Sequence, residues 1–250
     1  MLGKLSCTFV FNHFSYALAY ATSGPPEIVE CITKQRDVIM RLVELLNHPM
    51  EDVQATIVCT VGNLLTKNSD QTHMVVSCGV LPCLTKLFEH PSKRIRKEVM
   101  WSVSNITAGS IKLIQEVIDA EIFPKLIFML SPDNNEAVEV KNEMYYVIVN
   151  ALAGGNDTQI QYLIDQGVIQ QLCGGLDLNS TVLTILLEGL ELLLKYGERS
   201  GTLREVIKIM EDYGGIERIE VIIKECVLQQ EDHDRSLYIL ETYGKTKKDV

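Results

Sequence analysis

The sequence is poor in aromatic residues and has no long apolar run. Aromatic residues make up 6% of its 250 residues. No stretch reaches the roughly 18 consecutive apolar residues of a membrane span. Asn12 and His13 break the short apolar run at the N-terminus, which is short for the core of a secretory signal. We therefore expect no membrane partner.

Paired cysteines and enzyme motifs are also missing. The seven cysteines are scattered without a CxxC pair, and the five histidines do not cluster with them. This distribution favours buried, reduced thiols over a metal site or disulfides. There is no Gly-rich phosphate loop, no Ser elbow and no HExxH motif. We predict no catalytic residue, no metal and no cofactor.

Positive charge is in deficit, because the formal net charge is −10. Such a chain repels phosphates, so we expect no nucleic-acid partner, whereas a basic ligand suits it. The one basic run, Lys93–Lys97, is interpreted as a solvated helix face.

What the chain does contain is a repeat, seen in two independent series. Short apolar segments begin at Val38, Val80, Ile122, Val168 and Ile216, at offsets of 42, 42, 46 and 48 residues. A second series has offsets of 43, 42, 45 and 42 residues and consists of Tyr20, Asn63, Asn105, Asn150 and Leu192. Period-two alternation is nearly absent, so strands are not expected.

Each repeat is predicted to hold two short helices and a longer third one. Three helices per 40–47 residues are typical of armadillo units, which bury their apolar faces by stacking on neighbours. The predicted fold is therefore an all-α, armadillo-type right-handed superhelical solenoid, with the third helices lining a concave groove. After an irregular segment 1–13 and before a tail 244–250, we predict repeats at 14–35, 36–78, 79–120, 121–166, 167–213 and 214–243.

The segment Arg96–Gly109 shows what a third helix offers. Val99, Val103 and Ile106 form an apolar face at i, i+4 and i+7. Trp101 and Asn105 lie one turn apart on another face, with Glu98 one turn before Trp101. Gly109 is expected to end the helix in a left-handed conformation.

These segments resemble the importin alpha (karyopherin alpha) family of nuclear-import adaptors. The resemblance runs from about Phe14 to about Tyr243 and covers the family's fifth to tenth repeats. It is carried by YALAYATSG at 16–24, VGNLLT at 61–66, WSVSNITAG at 101–109 and YVIVNALAGG at 146–155. The ninth and tenth repeats correspond to Ser180–Glu198 and Gly214–Tyr243. Cys59 stands where the segments at 16–24, 101–109 and 146–155 carry an aromatic ring, and the family's sixth repeat likewise commonly lacks the Trp while it keeps the Asn.

The resemblance implies binding of basic nuclear localisation signal peptides, in the cytoplasm and the nucleus. Asn side chains would pair with peptide backbone, aromatic rings would flank Lys or Arg stems, and carboxylates would supply a favourable field. The implied cargo-contacting residues are Tyr20, Asn63, Thr72, Glu98, Trp101, Ser104, Asn105, Glu143, Tyr146 and Asn150. Tyr16 and Tyr146 replace Trp, which predicts weaker pockets there.

Other implied partners follow from the family's organisation. The tenth repeat implies contact with an export factor. Binding of importin beta would need a basic segment that has no counterpart in these 250 residues.

Purely structural roles for the same residues stay open beside the cargo-binding roles. Trp101 can be a core residue, and Asn63 and Asn150 can be structural amides. Glu98 and Glu143 can be solvated helix charges, and Thr72 can cap a helix. The alternative function is an armadillo scaffold that joins protein partners without signal-peptide cargo.

Overall fold

The computed structural model describes residues 16–66, 69–177, 180–225 and 228–248, and all regular structure there is helical. A helical segment at 16–22 precedes fifteen helices, α1 to α15. Their bounds are Pro26–Thr33, Arg36–Leu45, Glu51–Leu64, Ser69–Ser77, Val80–Lys86, Lys93–Thr107, Ile111–Asp119, Ile122–Leu130, Val138–Gly154, Asp157–Asp165, Val168–Gly175, Leu183–Ser200, Leu203–Asp212, Gly215–Glu225 and Gln230–Lys248. The all-α prediction is confirmed.

The chain divides into two compact units, Met1–Ile122 and Phe123–Val250. In the first unit α4, α5 and α6 give the predicted order of two short helices and a long one, and in the second α10, α11 and α12 repeat it. Within the first unit the third helices α3 and α6 pack against each other; within the second, α9 packs on α12 and α12 on α15. The predicted segment 1–13 lies outside the described residues.

The apolar faces predicted from the 3.6-residue period form the core. Val99, Val103 and Ile106 of α6 are fully buried. In α12 the same spacing buries Leu186, Leu190 and Leu193. Trp101 and Asn105 of α6 lie outside this buried face and are half-buried.

A left-handed residue precedes the second helix of several repeats. Gly79, Gly167 and Gly214 take this conformation, and Glu121 takes it at the matching position with a φ of 53°. An L-residue with a Cβ is strained there, so Glu121 carries a local cost that glycine would avoid.

Helix α6 ends beside Gly109 as predicted, but the left-handed conformation expected for Gly109 is wrong, because its φ is not positive. The residue is instead needed for close packing. A Cβ atom at Gly109 would lie 2.5 Å from Cδ1 of Leu113, in the first turn of α7. The space between two successive helices therefore selects this glycine.

Membrane insertion finds no support in the residues that the structure describes: none of their helices combines the length and the apolar character that a bilayer crossing needs.

Candidate functional site

Trp101 of α6 lies against the backbone of α3. A Cβ atom built on Gly62 would fall 2.4 Å from Cζ3 and 2.7 Å from Cε3 of the indole. Trp101 as a whole is half-buried. Gly62 thus sets how deeply Trp101 sits, and the remaining ring surface is available for a ligand.

Asn105 and Asn63 each reach back to the preceding repeat. The Nδ2 of Asn105 donates to the carbonyl of Gly62 at 3.5 Å. The Nδ2 of Asn63 donates to the carbonyl of Ala19 at 3.3 Å and to Oγ1 of Thr22 at 3.2 Å. In both cases the carbonyl belongs to the residue before the matching repeat position. The structural-amide interpretation of Asn63 therefore has direct support.

These inter-repeat bonds do not exhaust what an Asn side chain offers. The amide has two N–H donors and an oxygen that accepts. A bond from Nδ2 of Asn105 to Gly62 orients the amide and leaves capacity for a second partner. Orientation by a fixed backbone carbonyl is useful for recognition, because the side chain then loses less entropy on binding.

Glu98 supplies negative charge beside this pair of helices. Burial raises the pKa of the Cys59 thiol, and the carboxylate of Glu98 raises it further, while Arg94 opposes the shift. Glu98 therefore lies near Cys59, the residue at the aromatic position of its repeat. This arrangement places a half-buried carboxylate within one turn of Trp101.

Ser104 and Thr72 lie differently from the expectation. Ser104 is only 4% exposed, and its hydroxyl donates to the carbonyl of Trp101 at 2.9 Å. Thr72 is buried as well, with its hydroxyl donating to the carbonyl of Leu65 at 3.1 Å. Small hydroxyls enter a helical core when a nearby carbonyl accepts from them. Both side chains are therefore buried in this structure, and their role in cargo contact stays a prediction.

Tyr20 is at the opposite extreme, since it is 83% exposed. It lies in the helical segment 16–22 of the first unit, and its ring meets solvent over most of its surface.

The second unit carries the remaining predicted residues on α9. Tyr146 is 36% exposed, and Glu143 and Asn150 are half-buried. The neighbouring Tyr145 turns inward, and burial raises the pKa of its phenol despite the opposing charge of Arg218. Helix phase thus separates two adjacent tyrosines into a core ring and a surface ring.

The residue that sequence reasoning missed is Gly62. Its signal was the glycine directly before Asn in the VGN motif, at a helix position where alanine would be the better helix former. Among the described residues no group of three or more His, Cys, Asp or Glu is placed to hold a metal ion.

A family model and solved structures define the class of protein. The family model described as Armadillo/beta-catenin-like repeat matches residues 68–108. A designed armadillo repeat protein superposes with a TM-score of 0.79 over 93% of this chain and 92% of its own, at 24% identity. A second, described in complex with the peptide (KR)4, has a TM-score of 0.78 over 92% and 91%, also at 24% identity. The chain is an armadillo-repeat protein.

Curated relatives are more specific. Importin subunit alpha-1b of Oryza sativa subsp. japonica is 35% identical over 247 residues, which are 96% of this chain and 45% of the relative. Importin subunit alpha-4 of Arabidopsis thaliana is 35% identical over 94% of this chain and 44% of the relative. The chain belongs to the importin alpha family, as the resemblance predicted, and spans about half the length of the curated relatives it matches.

Proposed function

We propose that this chain binds extended basic peptides of the nuclear localisation signal type on its third helices. The observation that carries the proposal is the Trp101–Asn105 pair, in which a half-buried indole and an oriented amide lie one turn apart beside Glu98. The second unit repeats the pattern with Tyr146 and Asn150.

The proposed chemistry divides between backbone and side chains. Asn105 and Asn150 would exchange hydrogen bonds with peptide N–H and C=O groups, which are present in any sequence. The rings of Trp101 and Tyr146 would flank the alkyl stems of Lys or Arg and attract the cationic heads. Glu98 and Glu143, with the net charge of −10, would draw a basic peptide toward the chain.

The homology supports this proposal, since importin alpha subunits match almost the whole chain. By the same proposal the protein acts in the cytoplasm and the nucleus. We assign contact with an export factor to Gly214–Tyr243, whereas binding of importin beta would require a basic segment that these 250 residues do not contain.

Calorimetric titration with a short Lys/Arg peptide tests the proposal. Trp101→Ala should weaken binding by about 2 kcal/mol, and Asn105→Ala by about 1 kcal/mol. Tyr146→Ala should cost less than Trp101→Ala, and Tyr146→Trp should tighten binding, because the larger indole offers more area. The matched control is Phe128→Ala, which removes a ring that is 72% exposed on the second helix α8.

Thermal melts of the same variants separate recognition from folding. A sharp loss of melting temperature for Trp101→Ala, with normal peptide binding by the protein that stays folded, would make Trp101 a core residue and overturn the proposal.

A scaffold without signal-peptide cargo is the second candidate, and the Asn63 contacts favour it. If the Asn side chains serve only to join repeats, Asn63→Ala and Asn105→Ala should lower the melting temperature. In a pull-down at moderate salt, a resin that carries a Lys-rich peptide should then retain none of the wild-type protein.

A further inference from the structure

The last helix, α15, places Arg235 at the repeat position that Asn105 occupies in α6. The Nε of Arg235 donates to Oε2 of Glu191 at 3.1 Å, across 44 residues of sequence. Asn105 reaches Gly62, the residue before Asn63, across 43 residues. Glu191 likewise directly precedes Leu192, the member of the Asn series in its repeat. Arg235 therefore takes the Asn position of its repeat.

Arg235 is surrounded by carboxylates from two helices of the second unit. Its Nη2 lies 2.8 Å from Oε1 of Glu231, and its Nη1 lies 3.8 Å from Oδ1 of Asp232. We call Glu191, Glu231 and Asp232 the terminal acid site. The side chain of Arg235 keeps only 17% of its exposure there, so the guanidinium group fills the site.

Asp232 shows that the site is built for a cation. Its residue is 7% exposed, and its Oδ2 accepts from Oγ1 of Thr184 at 2.8 Å. Its buried Oδ1 makes no hydrogen bond among the described residues, and neither does Nη1 of Arg235, which lies 3.8 Å from it as its ion-pair partner. A buried carboxylate is costly unless a positive charge compensates it, so the pocket demands a basic group.

We propose that the terminal acid site is a guanidinium site, filled by the chain's own Arg235. The third-helix faces proposed to bind a basic peptide are called the peptide-binding strip, and the occupancy by Arg235 ends this strip at α12 and α15. The second part rests on the proposed function. A Lys or Arg of a bound peptide would need the same carboxylates, which Arg235 already engages, with Lys195 as a second ion-pair partner of Glu191 at 2.5 Å. Arg235 thus excludes one basic side chain from the end of the strip.

Removing Arg235 should leave a site that accepts free guanidinium. In Arg235→Ala, millimolar guanidinium chloride should raise the melting temperature by ~3 °C, as expected for a ligand that binds only the folded state. The wild type should show no rise, and sodium chloride at equal ionic strength should not replace guanidinium. Arg235→Ala combined with Asp232→Asn should lose the response. Equal behaviour of Arg235→Ala and the wild type would overturn the guanidinium site.

A second measurement tests the end of the strip. Calorimetry should compare a short Lys/Arg peptide with versions extended by an Arg-containing segment at either end. One of the two extended peptides, the one whose added Arg reaches α15, should bind Arg235→Gln about fivefold more tightly than it binds the wild type. The short peptide should bind both proteins alike. Arg235→Lys should keep the wild-type preference, because an ammonium group still occupies the acids.

The two hypotheses fail separately. If the wild type binds no basic peptide, the proposed function is wrong, and the guanidinium response still decides the terminal acid site. If the short peptide binds but neither extension distinguishes Arg235→Gln from wild type, the role of Arg235 in ending the strip is wrong.

Discussion

The helices α6 and α15 place side chains at the same two repeat positions but use them for different chemistry. In α6 these positions hold Trp101 and Asn105, a ring and a neutral amide that contact Gly62. In α15 they hold Glu231 and Arg235, an ion pair that also engages Glu191.

This difference shows that the repeat keeps a geometry rather than a set of interactions. In both units a side chain on a third helix reaches back to the residue before the matching position of the preceding repeat. Under the proposed function, the neutral contact of Asn105 leaves the ring of Trp101 for a ligand. The ion pairs of Arg235 neutralise part of the negative charge that would attract one.

Among these predictions, disrupting the contact between Gly62 and Trp101 in the first unit should change the unfolding free energy most. Gly62→Ala puts a Cβ atom 2.4 Å from the Trp101 ring. We expect a loss of about 2–3 kcal/mol in unfolding free energy, as for overpacking of a filled site, and weaker peptide binding because the indole is displaced.

Gly174→Ala is the matched control in the second unit, since the added Cβ would have no described atom within 4 Å apart from the adjacent residues and backbone of its own helix. It should stabilise its helix by up to about 1 kcal/mol. Denaturant unfolding of both variants measures the contrast, and a Gly62→Ala protein as stable as wild type would contradict the packing argument.

The next effect compares an arginine from each unit. Nη1 of Arg218 donates to the carbonyls of Cys173, Gly174 and Leu176 at 3.1–3.2 Å, at the end of α11. Arg36 in the first unit makes longer, exposed bonds to Ser77. Arg218→Ala should cost about 2 kcal/mol, as for hydrogen bonds from a charged donor, and Arg36→Ala well under half of that. Equal losses of unfolding free energy in urea for the two variants would contradict a stabilising contribution from the three carbonyl hydrogen bonds of Arg218.

A smaller effect concerns thiols of different burial. Burial raises the pKa of Cys173 to about 12, against the opposing charge of Arg218. The unfolded thiol loses its proton near pH ~8.5, so the folded state binds the proton more tightly. This contribution to stability is complete below that pH and is lost as the pH rises toward 12.

Unfolding free energies of wild type and Cys173→Ala above pH ~8.5 test this. The wild type should lose up to about 1.4 kcal/mol per pH unit more than the variant. In the folded protein an alkylating reagent should modify the exposed Cys31 and reach the buried Cys173 only after unfolding. Parallel pH curves would contradict the raised pKa.

The smallest effect concerns the left-handed positions of the two units. Gly79 and Gly167 adopt that conformation freely, whereas Glu121 is held at a φ of 53°. Glu121→Gly should stabilise the first unit by about 1 kcal/mol, and Glu121→Asn by less. A drop in melting temperature for Glu121→Gly would show that the Glu121 side chain contributes more than its backbone costs.

Local patterns in the sequence were enough to predict the helices, the repeat and the buried faces. Val99, Val103 and Ile106 were predictable because a helix repeats its faces every 3.6 residues, which is a local rule. The family was predictable because Trp101-Ser-Val-Ser-Asn105 and its relatives recur at one spacing.

Which of the candidate side chains reach the surface, and what they contact, depends on how the repeats pack. Ser104 and Thr72 are buried, Trp101 rests on Gly62, and Arg235 fills an acid site. The contacts of Trp101 and Arg235 join residues about 40 positions apart, and their distances depend on how closely two helices pack. Local periodicity places a residue on a face of its helix, but the neighbouring repeat decides whether that face is covered, paired or open.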